Sequence, residues 1–256
     1  MRILLTGCAG TWGQEFTKQL LAEGHEVIGV DRDEKGVADF KRQFKDMKVV
    51  VDEFDNYDFN NYGGKIDLLI HLAAYKHIDL CEVNVLSAIE NNVIRTMRLY
   101  EKAAHAKAKI LYISTDKSVE PYSAYSQTKA LGEKLTWYYG GKVARSGNII
   151  GSRGSVLNIW EECIQNDKPL KVTDMAMERY FIKIEDAVAT AWEGYKKGNR
   201  LTVVDIGGHQ RIRDIIVGLL NKYGKSIDTY PIEIIGKRPG ERLVDNIMWE
   251  FEKEEL

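Results

Sequence analysis

The amino-acid sequence predicts an α/β protein, a doubly wound parallel sheet with a small C-terminal lobe. Short apolar, β-branched runs alternate with longer segments of helical period. The runs are apolar at successive positions rather than alternate ones, the pattern of strands covered on both faces. Repeated strand–helix units connect by right-handed crossovers, which set helices on the two sides of one sheet. At 256 residues the chain has room for one large domain and an appended lobe.

Taken in order, Arg2–Thr6 (RILLT) reads as the first strand and Thr11–Glu23 as its helix. Glu26–Val30 is the second strand, Glu34–Phe44 a helix and Lys48–Val51 the third strand. Ile66–Leu72 (IDLLIHL) is the fourth, and Val85 to Ala106 reads as one long helix. Ile110–Ser114 is the fifth strand, Ala124–Tyr139 a helix and Val143–Asn148 the sixth strand. After Asn148 the rhythm loosens. GSRGS at 151–155 is a loop, Val156–Asn166 a helix and Leu170–Thr173 a short strand. Asp186–Lys197 and Leu201–Ile206 return to the sheet, and a helix, a strand and the loop Gly236–Gly240 follow. The acidic end, EFEKEEL, reads as a solvated helix terminus.

Composition narrows the function classes. A net charge of −2 provides no broad field for nucleic acid or an acidic membrane, so any phosphate recognition must be local. Cys8, Cys81 and Cys163 are far apart and form no Cys-x-x-Cys pair, which argues for a reducing compartment and against a zinc site; no metal is expected. The chain opens directly into MRILLTG, and no apolar run approaches the roughly 18 residues of a membrane span. A cytoplasmic enzyme without nucleic-acid or membrane partners is the expectation.

Gly7, Gly10 and Gly13 in TGCAGTWG stand between the first strand and its helix. Glycine lets the backbone turn tightly and approach a pyrophosphate, while the helix N-terminus offers free N–H groups to the phosphates. Strand before, helix after and an acid closing the second strand turn a weak motif into a Rossmann-like dinucleotide fingerprint. That acid is Asp31, in position to bind the adenosine ribose. Thr11 and Trp12 join the cofactor set, as does Ala73 after the fourth strand. Asp31 favours NAD, since a carboxylate repels a 2′-phosphate, whereas Arg32 could recruit that phosphate and leaves NADP open. Asp52 could hold the adenine amino group or equally cap a helix. Residues 1–150 and 183–206 are accordingly expected to form a dinucleotide-binding domain, and 151–182 and 207–256 a small substrate-binding lobe.

Tyr125 and Lys129, four apart, share a helix face after the fifth strand. An ammonium beside the phenol would lower its pKa, and the tyrosinate could take a proton from a sugar hydroxyl as hydride leaves for a nicotinamide. Thr115, at the end of that strand, would orient the substrate.

With TGCAGTWG, HLAAYKHID, STDKSVEPYSAYSQTK, RSGNIIGSRGSV, KVTDMAMERYFI and KRPGERL in order, the sequence resembles the extended short-chain dehydrogenase/reductases. Within them it is similar to the polysaccharide-biosynthesis branch containing inverting UDP-N-acetylglucosamine 4,6-dehydratases. The resemblance implies an NAD- or NADP-dependent lyase acting on a UDP-linked hexose, working as a homo-oligomer. It implies Lys117 as the base at carbon 5 and Asp116 as the acid for the departing 6-hydroxyl, after oxidation at carbon 4. A lysine serves as a base only if its pKa falls well below about 10. Arg179 and Arg238 would grip the diphosphate. Asn148 would contact the substrate near its phosphates, Thr173 and Asp174 would close the nucleotide pocket, Glu241 would support the ribose and Lys76 would help position the sugar. Asn92 matches an asparagine whose helix distortion supports the tyrosine–lysine pair.

Departures cluster near the substrate. PYSAYSQTK lacks the branch's Gly after the tyrosine, Ile78-Asp79 replaces a common proline, and Glu178 replaces a threonine. KRPGERL stands close to the C-terminus, where similar proteins continue, so a minimal lobe is expected. A UDP-sugar 4-epimerase on the same scaffold is the nearest rival, and a non-catalytic cofactor-binding regulator a distant one.

Overall fold

The computed structural model describes residues 1–59, 64–152, 155–204, 208–237, 241–249 and 252. The first series is β1 (Arg2–Thr6), α1 (Thr11–Ala22), β2 (Glu26–Asp31), α2 (Glu34–Gln43) and β3 (Lys48–Val51). Next come β4 (Leu68–His71), two short helices α3 (Ile78–Val83) and α4 (Val85–Ile89), α5 (Arg95–His105), β5 (Lys109–Thr115), α6 (Ala124–Tyr138) and β6 (Lys142–Ser146). Then follow β7 (Asn148–Ile149), α7 (Val156–Gln165), β8 (Leu170–Val172), β9 (Glu178–Ile182), α8 (Ile184–Lys197) and β10 (Leu201–Val204). The last elements are β11 (His209–Arg211), α9 (Ile212–Lys222) and β12 (Ile232–Ile234).

Seven strands form one sheet in the order β10-β6-β5-β4-β1-β2-β3, every neighbouring pair parallel. The order reverses direction between β1 and β4, the switch point at which open α/β sheets place their ligands. β1 shows why its residues are apolar without alternation. Ile3 and Leu5 pack with Phe16 and Leu20 of α1 and Trp192 of α8, while Leu4 packs with Leu99 and Tyr100 of α5 on the opposite side. Each such side chain contributes about 1.5–3 kcal/mol by leaving water.

Outside this sheet, β9 pairs with β7 in parallel and with β11 antiparallel, and β12 pairs with β8. Trp160 and Ile164 of α7, Leu170 and Val172 of β8, and Ile216 and Leu220 of α9 make a separate core beneath them. The strands β9 and β11 carry no sequence signal: in ERYFI four of five residues are half-buried, so no period-2 alternation develops.

The segment read as one helix from Val85 to Ala106 is three pieces. Between α4 and α5 the backbone passes through a π-helical turn, Glu90–Ile94, which buries Asn91 and Asn92. Asn92 Oδ1 accepts from the Tyr75 N–H at 2.8 Å, and its Nδ2 donates to Tyr75 O at 3.0 Å and Thr128 Oγ1 at 3.0 Å. The widened turn thus ties the loop after β4 to α6. That helix is started by a reciprocal cap: Ser123 Oγ accepts from the Ser126 N–H, and Ser126 Oγ from the Ser123 N–H. The strand expected over Val143–Asn148 ends at Ser146, and Asn148 sits on β7. Residues 205 and 206, expected to end the last sheet strand, lie outside the described residues. The acidic end is not simply solvated: Glu252 is buried. Among the described residues no helix is long and apolar enough to cross a membrane.

Candidate active site

The carboxyl ends of β1, β4, β5 and β6 open into a cleft of about 1050 Å³. At its floor the chain leaves β1 through Gly7, whose φ of +71° suits glycine, and the Gly7 N–H donates to Val30 O at 2.8 Å. Gly13 lies under this turn. A Cβ there would stand 2.4 Å from Gly7 O and 2.5 Å from the Cys8 backbone, so the helix can approach the loop only with glycine. Gly10 begins α1 with no side chain capping it. At the end of β2, Asp31 accepts from the Ala9 N–H through Oδ2 and the Asp33 N–H through Oδ1, both at 3.1 Å. These residues fit a dinucleotide: a side-chain-free cradle, an uncapped helix N-terminus and a fixed carboxylate share one cleft.

Of the expected cofactor residues, Gly7, Gly10, Thr11, Trp12, Asp31, Arg32, Asp52 and Ala73 line the cleft, and Gly13 supports it from beneath. The Arg32 guanidinium lies 4.6 Å over the Tyr75 ring and 3.3 Å from Glu53 Oε1. Asp52 Oδ1 accepts from the Glu53 N–H and from Asn56 Nδ2, so that oxygen holds the turn Phe54–Asn56 in place.

β5 and α6 bring Thr115, Lys117, Tyr125 and Lys129 to the same cleft. Asp116 stands behind them with its side chain fully buried, and it does not line the cleft. Its Oδ1 accepts from Thr115 Oγ1 at 2.8 Å and from Lys117 Nζ at 2.9 Å, while its Oδ2 is buried without a hydrogen bond. Lys117 Nζ also donates to Asn148 Oδ1 at 3.3 Å.

Protonation differs from the sequence expectation at both lysines. Burial alone would lower Lys117, but Asp116 and Asp245 more than offset it and hold the ammonium above the ordinary lysine range. Lys129 is the lysine that burial brings down, to about 7, with only Glu133 opposing. Its Nζ donates to Ile113 O at 2.8 Å and lies 4.0 Å over the Tyr112 ring. Burial pushes the Tyr125 phenol up to about 12, and the positive charge acting against that is Lys117, helped by a hydrogen bond with Thr115. The expectation that Lys129 lowers the phenol is therefore corrected: four-residue spacing puts both side chains on one face of α6, but Nζ turns to Ile113 O of β5.

Of the expected substrate residues, Lys76, Asn148, Thr173, Asp174, Arg179 and Glu241 all line the cleft. Arg179 is already engaged: Nη1 donates to Glu178 O and Leu243 O, Nη2 to Arg242 O, and Nε lies 3.1 Å from Asp245 Oδ2. Arg238 lies outside the described residues, as do Arg153 and Gly154 of the GSRGS loop. Among the described residues no group of three or more His, Cys, Asp and Glu side chains is arranged to hold a metal ion.

Two features were missed from sequence. Asp245 reaches Lys117 Nζ at 3.3 Å. Beneath the Asp116–Ser118 turn, the fully buried Arg145 holds Glu133 and Glu252 in paired contacts of 2.7–3.1 Å, and Ser118 Oγ donates to Glu133 Oε1. A buried charge with two carboxylates over its head leaves no local pattern; only the arginine inside an apolar strand, VARS, hinted at it.

The sequence profile described as "Polysaccharide biosynthesis protein" matches residues 3–256. A Methanocaldococcus jannaschii protein named as an uncharacterized membrane protein is 34% identical over 98% of this chain and 81% of its own length. A UDP-N-acetylglucosamine 4,6-dehydratase (inverting) of Campylobacter jejuni is 29% identical, covering 94% of this chain and 75% of that enzyme. A UDP-glucose 4-epimerase of Rickettsia rickettsii is 27% identical, covering 96% and 77%. The chain spans only 44% and 45% of two longer relatives named for polysaccharide biosynthesis, from Bacillus subtilis and Staphylococcus aureus. Among solved structures, Pen from Bacillus thuringiensis superposes with a TM-score of 0.89 at 25% identity, over 98% of this chain and 82% of that one.

Proposed function

Since the chain belongs to the polysaccharide biosynthesis protein family and is an extended short-chain dehydrogenase/reductase, we propose that it is a nucleotide-sugar 4,6-dehydratase acting on a UDP-linked hexose such as UDP-N-acetylglucosamine. The observation that carries the reading is the Asp116–Lys117 ion pair at the edge of a cleft that also holds Tyr125 and Lys129. A simple epimerisation at carbon 4 has no use for such a pair, whereas an elimination across carbons 5 and 6 requires a base and an acid. A nicotinamide dinucleotide bound along the glycine loop would take hydride from carbon 4 and return it at carbon 6.

This chain's residues supply the proton movements. Tyr125 takes the proton of the 4-hydroxyl as the tyrosinate, the form that the Lys117 charge and the Thr115 hydrogen bond favour against burial, with Thr115 beside it to orient the sugar. The carbon-5 proton goes to Lys117 Nζ, the member of the pair that faces the cleft. One proton passing from Nζ to Oδ1 across the 2.9 Å hydrogen bond turns the ion pair into an amine and a carboxylic acid without exchange with solvent. Closure of the cleft on a sugar favours that neutral form, because desolvation penalises two charges more than none. Asp116, one hydrogen bond behind the cleft, then returns its proton through Nζ or Thr115 Oγ1 to the leaving 6-hydroxyl, and carbon 5 takes a proton back from the Lys117 ammonium as carbon 6 is reduced. Asp31 favours NAD over NADP by charge.

The test is mass spectrometry of the protein with NAD and a panel of UDP-hexoses: the reading requires a product lighter by one water. Lys117→Ala should keep dinucleotide binding and lose solvent-deuterium exchange at carbon 5; normal exchange there removes Lys117 from the role. One observation favours a second reading, a UDP-sugar 4-epimerase. Lys117 is held as an ammonium above the ordinary lysine range, and a lysine left so cannot act as a base. An isomeric product of unchanged mass decides for it.

A further inference from the structure

The nitrogen of Lys117 is flanked by two carboxylates from distant parts of the chain. Asp116 Oδ1 is 2.9 Å away and Asp245 Oδ2 is 3.3 Å away. Asp245 Oδ2 is shared with Arg179, whose Nε lies 3.1 Å from it. The four side chains expose at most 19% of their surface, so two anions and two cations compensate one another largely out of water. A carboxylate so buried is retained only with partners, and the partners of this one are the lysine of the cleft and the arginine on β9.

The backbone around Asp245 is pinned independently of its charge. Its carbonyl accepts from His209 Nε2 on β11 at 2.7 Å, which fixes that nitrogen as the protonated one. Leu243 O accepts from the Glu178 N–H at 2.9 Å, Arg242 O accepts from Arg179 Nη2 at 2.6 Å, and the Arg242 guanidinium reaches the Glu120 carboxylate at 2.8 Å. Residues 242–245 are therefore fastened both to the lobe strands and to the loop that follows Lys117. The carboxylate is delivered to Nζ by a segment whose backbone is held by hydrogen bonds on both sides.

We propose that Asp245 is a positioning residue for the reaction, fixing the Lys117 ammonium beside Asp116 at the cleft and governing release of its proton. Its kinetic consequence rests on the dehydratase reading above; the electrostatic coupling does not. The charged and titratable groups facing Lys117 are Asp116 on its own turn, Tyr125 of α6, Arg179 of β9 and Asp245, with Asn148 of β7 as a neutral partner. Replacing Asp245 by asparagine removes an anion and leaves Arg179 uncompensated beside the lysine. Both changes favour the amine.

The experiment uses the full chain with lysine labelled at Cε, the Lys117 resonance being identified by its loss in Lys117→Arg. In the wild type this resonance should not titrate below about pH 10. In Asp245→Asn the midpoint should fall by roughly 1–3 pH units, and Asp245→Glu, which keeps the charge, should restore the wild-type behaviour. With substrate, the fall of kcat/KM at high pH, where the pair gives up its shared proton, should set in at lower pH in Asp245→Asn and return to its wild-type place in Asp245→Glu. A Lys117 titration unchanged in Asp245→Asn overturns the proposal, as does a Glu variant that titrates like the Asn one. If the titration shifts as stated but the wild type forms no dehydrated sugar, the dehydratase reading fails and the coupling stands.

Discussion

Lys129 should destabilise the fold that contains it, and replacing it by methionine exposes how much. Burial lowers its pKa from 10.5 to about 7. At about 1.4 kcal/mol per pH unit, the ammonium is then less stable inside the protein than in the unfolded chain by about 5 kcal/mol. Between pH 7 and 10.5 the unfolded lysine holds a proton that the folded one lacks, so stability rises with pH across that window; below pH 7 both states are protonated and the full penalty applies. Methionine keeps much of the volume, cannot titrate, and loses the donor to Ile113 O, a fixed cost at every pH. Two nearby groups titrate outside the working range: His71 is lowered to about 3 by burial first and Lys129 second, and burial raises the Tyr112 phenol well above its ordinary range. The difference between wild type and Lys129→Met should therefore change by about 2–3 kcal/mol in favour of the wild type between pH 7 and pH 9, or about 5–10 °C in Tm for a chain of this length. Urea unfolding of both proteins at several pH values, followed by circular dichroism, measures it. Parallel stability–pH curves would refute the argument, for they would mean that Lys129 is as easily protonated in the fold as in water.

Other outcomes follow from single contacts. Arg145→Leu strands Glu133 and Glu252 as buried, unpaired carboxylates, so unfolding free energy should drop by about 3–5 kcal/mol in a urea titration. Gly13→Ala drives a Cβ into the Gly7 and Cys8 backbone, where nothing flexible can give way; dinucleotide binding by fluorescence titration should be lost and Tm should fall. Asp31→Asn should weaken NADH by about tenfold relative to NADPH, about 1.4 kcal/mol, because the charge that repels a 2′-phosphate is gone; an unchanged ratio of the two dissociation constants would remove Asp31 from cofactor choice.

The sequence by itself determined the sheet and the floor of the cleft. A strand such as RILLT must be buried on both faces, and Ile3, Leu4 and Leu5 are; a glycine run between such a strand and a helix allows one kind of turn. Those constraints are local, written in residues that touch their sequence neighbours. Tyr125 and Lys129 were equally legible as a pair on one helix face, and Thr115 as the end of β5 with Lys117 in the turn after it. What only the tertiary structure decided is the state in which these groups stand. The lysine expected to have a lowered pKa has a raised one, because Asp116 beside it and Asp245 from the far end of the chain outweigh burial, and the lysine expected to tune the phenol faces Ile113 O instead. The π-helical turn at Asn92 and the burial of Glu252 against Arg145 are likewise products of packing. Charge state follows desolvation and the distance between ions, and neither exists until segments remote in sequence have closed on one another.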